Sequence, residues 1–111
     1  MEKLEQYRNY IQKFLTEYSK NKPAYGEIEV QTIFDTMRDH YQIVYIGWKQ
    51  EKFIHSCPIH IDIKDNKIWL QWNGTEKDIA AELVTMGVSK EDIVLGFQTP
   101  FMRQFTEYSV G

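Results

Sequence analysis

Leu4, Tyr7, Ile11, Phe14, Leu15 and Tyr18 are spaced 3, 4, 3, 1 and 3 residues apart, which draws one apolar stripe along a helix. Glu2, Lys3, Glu5, Lys13 and Lys20 fall on its other faces. Asn21-Lys22-Pro23-Ala24-Tyr25-Gly26 then brings a proline and a glycine in quick succession, which ends the helix and turns the chain. After it the period drops to two. Ile28, Val30, Thr32 and Phe34 alternate with Glu29, Gln31 and Asp35, predicting a strand over 27–35 with one wet face. Residues 36–40 are a polar turn and 41–48 a second strand. Val44, Ile46 and Trp48 lie on one of its faces and Tyr41, Ile43 and Tyr45 on the other, so it is central in its sheet or covered on its outer side.

Lys49-Gln50-Glu51-Lys52 makes the next turn, followed by strands over 53–64 and 67–73 joined at Asp65-Asn66. Asn and Asp tolerate the positive φ of a two-residue primed turn best after Gly, and that turn sets the register. Ile63 then faces Ile68, Ile61 faces Leu70 and Ile59 faces Trp72, with His60, Asp62, Trp69 and Gln71 on the opposite side. Asn73-Gly74 closes the meander. Thr75 as N-cap, with Asp78 in the first turn, opens a helix with Ile79, Leu83 and Met86 on one face and Gly87 at its stop. Ser89, Glu91 and Asp92 start a shorter helical piece through Leu95. Phe97, Phe101, Phe105 and Tyr108, around Pro100, suit either a short helix or an extended tail packed on the core. The expected fold is α+β: an N-terminal helix, a four-stranded antiparallel β-meander, and C-terminal helical segments packed on one sheet face.

With 111 residues, the chain is expected to be one domain, 1–111, burying roughly 65% of its unfolded surface. The 42% hydrophobic and 14% aromatic shares argue against disorder. Thirteen Lys+Arg against 16 Asp+Glu give a net charge of −3, which disfavours an unaided general DNA binder, because such binding draws its affinity from cations replacing counterions. The sole cysteine, Cys57, has no internal disulfide partner. With no signal-peptide h-region and no apolar run of membrane-spanning length, the expected location is cytoplasmic, away from the membrane.

Four chemical constellations deserve testing. His55, Cys57, His60 and Asp62 lie close enough in sequence for a metal site, but strand alternation points the first two one way and the last two the other, unless a bulge at Pro58 breaks it. Cys57 precedes a proline on an extended segment, not at a helix N-terminus that lowers a thiol pKa, so it reads as a buried structural residue. Asp62-Ile63-Lys64, with Asp35, has the residue types by which restriction-type nucleases hold magnesium and orient a water. Lys64 belongs to a tight turn, however, and Asp35 is followed at once by another. Arg8, Lys22, Arg38 and Arg103 are scattered among acidic or neutral residues, the pattern of a solvated surface. No glycine-rich phosphate loop is present, and no cofactor is expected. On the outer sheet face, Tyr41, Tyr45 and Trp69 make an apolar patch of the kind found at protein interfaces, with Ile43, His60 and Asp62 completing the candidate interaction face. The first helix or the C-terminal tail is the alternative cover.

The chain resembles the XisI family, small factors named for controlling excision of the fdxN element during heterocyst differentiation in cyanobacteria. The resemblance is carried by Leu4-x-x-Tyr7-Arg8, Lys22-Pro23-Ala24-Tyr25-Gly26, Arg38-Asp39-His40-Tyr41-Gln42, Gly47-Trp48, His60-Ile61-Asp62-Ile63-Lys64-Asp65, Lys67-Ile68-Trp69, Asn73-Gly74-Thr75-Glu76, Glu91-Asp92-Ile93-Val94-Leu95-Gly96-Phe97, Pro100 and Val110-Gly111. Singly weak, these runs are specific in their order and their near end-to-end coverage. Asn66 departs from the Gly that members often carry, and both suit the turn. The resemblance implies an α+β fold and a regulatory role in site-specific DNA excision, beside a recombinase and a companion, XisH, whose fold resembles endonucleases. It brings no catalytic residues. The leading expectation is therefore a non-catalytic factor that binds an XisH-like companion or another copy of itself and reaches DNA only indirectly. The alternatives are a divergent metal-dependent nuclease using Asp62 and Lys64, and a direct DNA-binding accessory factor.

Overall fold

Helix α1 (Lys3–Tyr18) forms along the apolar stripe, burying Tyr7, Ile11, Phe14 and Leu15. The structure, a computed structural model, describes residues 2–21 and 26–111. Of the reversal expected over 21–26, residues 22–25 therefore lie outside the described residues. Strands β1 (Glu27–Asp35), β2 (His40–Lys49), β3 (Lys52–Lys64) and β4 (Lys67–Asn73) follow as an antiparallel meander. Asp65 (φ 54°) and Asn66 (φ 64°) take the left-handed conformations of the expected turn, and Ile63 pairs with Ile68 and Ile61 with Leu70.

The C-terminal third differs in detail from expectation. Asp78, not Thr75, caps α2 (Ile79–Met86): its Oδ1 accepts from the Ala81 amide at 3.1 Å, while the Thr75 amide donates to Asn73 Oδ1 at 2.9 Å in the preceding turn. Gly87 ends the helix at φ 125°. The short helix expected through Leu95 is a 3₁₀ turn (Lys90–Asp92) followed by a fifth strand, β5 (Ile93–Leu95), parallel to β4. The β-branched pair Ile93-Val94 is fully buried in the sheet, and α2 supplies the crossover that a parallel pairing requires. The sheet is thus five-stranded and mixed, in the order β1-β2-β3-β4-β5. Helix α3 (Pro100–Arg103) is capped by Thr99, after which the extended end returns to β5 through a bond from the Ser109 amide to the Ile93 carbonyl at 2.8 Å. Tyr108 packs on the core, whereas Phe97, Phe101 and Phe105 stay exposed.

The core lies between one sheet face and the two longer helices. Tyr41, Ile43, Ile59, Ile61, Ile68 and Leu70 from the sheet meet Ile11 and Leu15 of α1 and Ile79 and Leu83 of α2. Across β1 to β3 the other face carries half-buried and exposed side chains. Among the described residues, no helix is long and apolar enough to cross a membrane.

Candidate functional site

The site on the open sheet face depends on one extra residue in β3. Lys49 pairs with Lys52, Trp48 with Phe53 and Ile46 with His55, but beyond Tyr45–Ser56 the register shifts and Ile43 pairs with Ile59. Cys57 and Pro58 together oppose Val44, a β-bulge at the proline. The extra residue reverses parity: Phe53 and His55 face outward before the bulge, His60 and Asp62 after it. The expectation that His55 points away from His60 and Asp62 is thereby corrected. They share a face but not a place, because four residues of strand lie between His55 and His60. The Cys57 thiol, half-buried, donates to the Ile59 carbonyl at 3.1 Å, and burial pushes its pKa up, the opposite of an activated nucleophile.

The same offset places His40 opposite Asp62 and Gln42 opposite His60. Asp62 Oδ1 lies 2.8 Å from His40 Nδ1 and 2.9 Å from His60 Nε2, and its Oδ2 accepts from Gln71 Nε2 at 3.2 Å. An ionised carboxylate only accepts, so both imidazoles donate to it. His60 Nδ1 in turn faces Gln42 Nε2 at 3.3 Å, the arrangement in which Gln42 donates to the Nε2–H tautomer of His60. Burial pushes the Asp62 carboxyl up, but the two imidazole hydrogen bonds outweigh it and hold the pKa below the ordinary value. The Asp62 hydrogen bond raises that of His40. The ligand atoms of His40, His60 and Asp62 all lie within 4.8 Å of one another. His40 was missed because its place in the 36–40 turn hid its pairing. The signal lay in counting back from the Gln50-Glu51 loop with one residue added for Pro58, which moves His40 from across Ile61 to across Asp62.

The expected interaction face divides between the two sides of the sheet. Tyr41 and Ile43 are fully buried, and half-buried Tyr45 places its hydroxyl 3.2 Å from that of Tyr18 in α1. The first helix is thus the cover for that side, and these three residues are not an exposed patch. Tyr41 pairs with Phe34 and Ile61 on the helix side, which forces this parity on β2. Trp69 is outward but engaged, with Lys64 Nζ 4.5 Å and the Arg103 guanidinium 5.1 Å from its ring. A second bulge, at Gln71, puts Trp72 opposite His60 and leaves Ile59 opposite Asn73, so Trp72 leaves the expected core side and is 54% exposed. Trp48 and Phe53, about half exposed, meet edge to face at 5.0 Å, and Ile33 is also exposed.

The nuclease grouping does not assemble. Asp35 Oδ1 accepts from the Met37 and Arg38 amides at 3.0 and 2.9 Å, and β2 lies between it and Asp62, a backbone separation of about 10 Å. Lys64 lies over Trp69. The scattered basic residues are also engaged: Arg8 on Asp39, Arg38 on Asp35, and Arg103 on backbone carbonyls including that of Gln98 at 3.1 Å. Lys22 lies outside the described residues.

Comparison with known proteins adds three findings. The family model for XisI protein matches residues 1–110. The crystal structure of a XisI-like protein from Anabaena variabilis ATCC 29413 superposes with a TM-score of 0.92 at 50% identity, covering 98% of this chain and 100% of that one. The fdxN element excision controlling factor XisI from the same organism superposes with a TM-score of 0.86 at 29% identity, covering 99% and 100%. Among curated proteins none matches.

Proposed function

This chain belongs to the XisI family, and from that premise we propose a non-catalytic accessory factor in the controlled excision of a DNA element, which binds an XisH-like companion through its open sheet face. The observation that carries the reading is the sheet face itself. Ile33 and Trp72 are exposed beside the polar cluster of His40, His60 and Asp62, and Trp48 and Phe53 expose a second apolar pair farther along the same face toward the β2–β3 turn, on the side away from α1 and α2. Exposed apolar side chains on one face, Trp and Phe among them, are the composition of a recognition surface. The dispersal of Arg8, Arg38 and Arg103 into internal pairings supports a link to DNA through the partner rather than through a basic stripe.

Co-expression with the XisH-like companion followed by size-exclusion chromatography tests this reading. The two chains should co-elute, Trp72→Glu and Trp48→Glu should each abolish co-elution, and Lys13→Glu on the exposed side of α1 should leave it intact. A chain that elutes alone, or only as a self-dimer, overturns the companion reading. Co-elution that survives both glutamate substitutions overturns the face.

A further inference from the structure

The geometry points to a transition-metal site on the open face, in which His40 Nδ1, His60 Nε2 and one oxygen of Asp62 bind a divalent ion of the zinc type. Three donors converge from two neighbouring strands: Asp62 Oδ1 is already 2.8 Å from His40 Nδ1 and 2.9 Å from His60 Nε2. A tetrahedral zinc with ligands at about 2.0–2.2 Å holds its donors about 3.3 Å apart, so Asp62 Oδ1 has to draw back from each imidazole by only about half an ångström, with all three ligand atoms already within 4.8 Å of one another. Two imidazoles and one carboxylate suit zinc and its neighbours in the first transition row, whereas magnesium and calcium favour all-oxygen shells.

The supporting partners are also in place. Metal-bound histidines hold their second ring nitrogen in a hydrogen bond, and bound carboxylates are themselves hydrogen-bonded. Gln71 Nε2 donates to the other Asp62 oxygen at 3.2 Å, and Gln42 stands 3.3 Å from His60 Nδ1. When zinc takes His60 Nε2, that ring's proton moves to Nδ1, and Gln42 receives it by turning its amide oxygen inward. Ligation at His40 Nδ1 likewise moves that proton to Nε2. Three protein ligands leave a fourth position open, and the His40 side chain is 53% exposed on the open face.

The test is titration of the untagged full chain with Zn²⁺ by calorimetry and by competition with a chromophoric chelator. One ion should bind per chain with a Kd on the order of micromolar or tighter. His60→Ala and Asp62→Ala should weaken it at least about a hundredfold, and Gln42→Ala about tenfold. His55→Ala, which removes the remaining histidine, should leave it unchanged. His40→Ala, at an exposed position, serves as the ligand variant that keeps the fold. Ring-nitrogen NMR gives an independent readout, with His40 Nδ1 and His60 Nε2 shifting on zinc addition and both His55 nitrogens still. Zinc affinity unchanged in His40→Ala, loss of binding in His55→Ala, or zinc no tighter than magnesium overturns the site.

Discussion

Asp39 ties three elements together from a single turn position. Its carboxylate accepts from Arg8 Nε and Nη2 at 2.8 and 3.1 Å and from the Tyr41 hydroxyl at 2.9 Å, while its carbonyl accepts from the Ile63 amide at 3.0 Å. The Arg8 hydrogen bond outweighs burial and holds the carboxyl below its ordinary pKa. Asp39→Asn tolerates the φ of 61° but loses the charge-assisted pair, and should cost about 1–3 kcal/mol in urea unfolding. Arg8→Lys should recover only part of that pair, because an ammonium does not reproduce the two-pronged geometry. Since the folded pKa of Asp39 is depressed, its contribution is present above the unfolded carboxylate pKa and is lost as pH falls through the folded value. The acid-side decline should therefore be shallower in Asp39→Asn, and an unchanged acid limb would rule out this anchor. Arg38-Asp39-His40 reads as a turn from sequence, which holds for Arg38 and Asp39, whereas His40 already opens β2. That Asp39 anchors α1 was not legible, because its partner lies 31 residues away and no local period links them.

At the scale of elements, legibility followed the length over which a period repeats. Helix α1 and the β3–β4 turn were readable because stripe and turn chemistry agree over many residues. Two things were not. Single-residue bulges at Pro58 and Gln71 break the alternation and exchange faces, which carried Trp72 outward and aligned His40 with Asp62. Strand β5 has three residues, too few to display a period of two, beside acidic residues that suit a helix start. Gly47 tests the β1–β2 pairing directly. It sits opposite Ile28 at φ 150°, and a Cβ there would drive into the Glu27 carbonyl oxygen. Gly47→Ala combines backbone strain with that overlap and should cost about 3 kcal/mol or more. For a domain of this size the thermal midpoint should fall on the order of 10 °C or more, read by circular dichroism. A shift of about 2 °C or less would mean that the β1 edge gives way freely.

The whole molecule is asymmetric: one sheet face is sealed by helices, the other is open across β1 to β3, and the seal is held at both ends of α1 by tyrosine phenols. Near its start, the Tyr7 hydroxyl donates to Asp92 at 2.5 Å, with Lys3 Nζ 3.2 Å from the same carboxylate. At its end, Tyr18 meets Tyr45. Burial first, and the Asp92 hydrogen bond second, raise the Tyr7 pKa; burial and the Tyr45 hydroxyl push that of Tyr18 up to about 12. An unfolded phenol ionises near pH 10. Because the folded values lie above it, the contribution of these phenols is complete below about pH 10 and drains away as pH rises toward about 12. For Tyr18 the loss should be on the order of 1–2 kcal/mol after solvent screening. Urea midpoints at pH 8 and pH 11, in enough salt to screen surface lysine pairs, should show a clear drop in the native chain. The drop should be smaller in Tyr18→Phe and smaller again when Tyr7→Phe is added, since Phe has no proton to lose. If all three proteins lose the same stability between the two pH values, the helix is not held to the sheet by its phenols, and alkaline unfolding begins elsewhere.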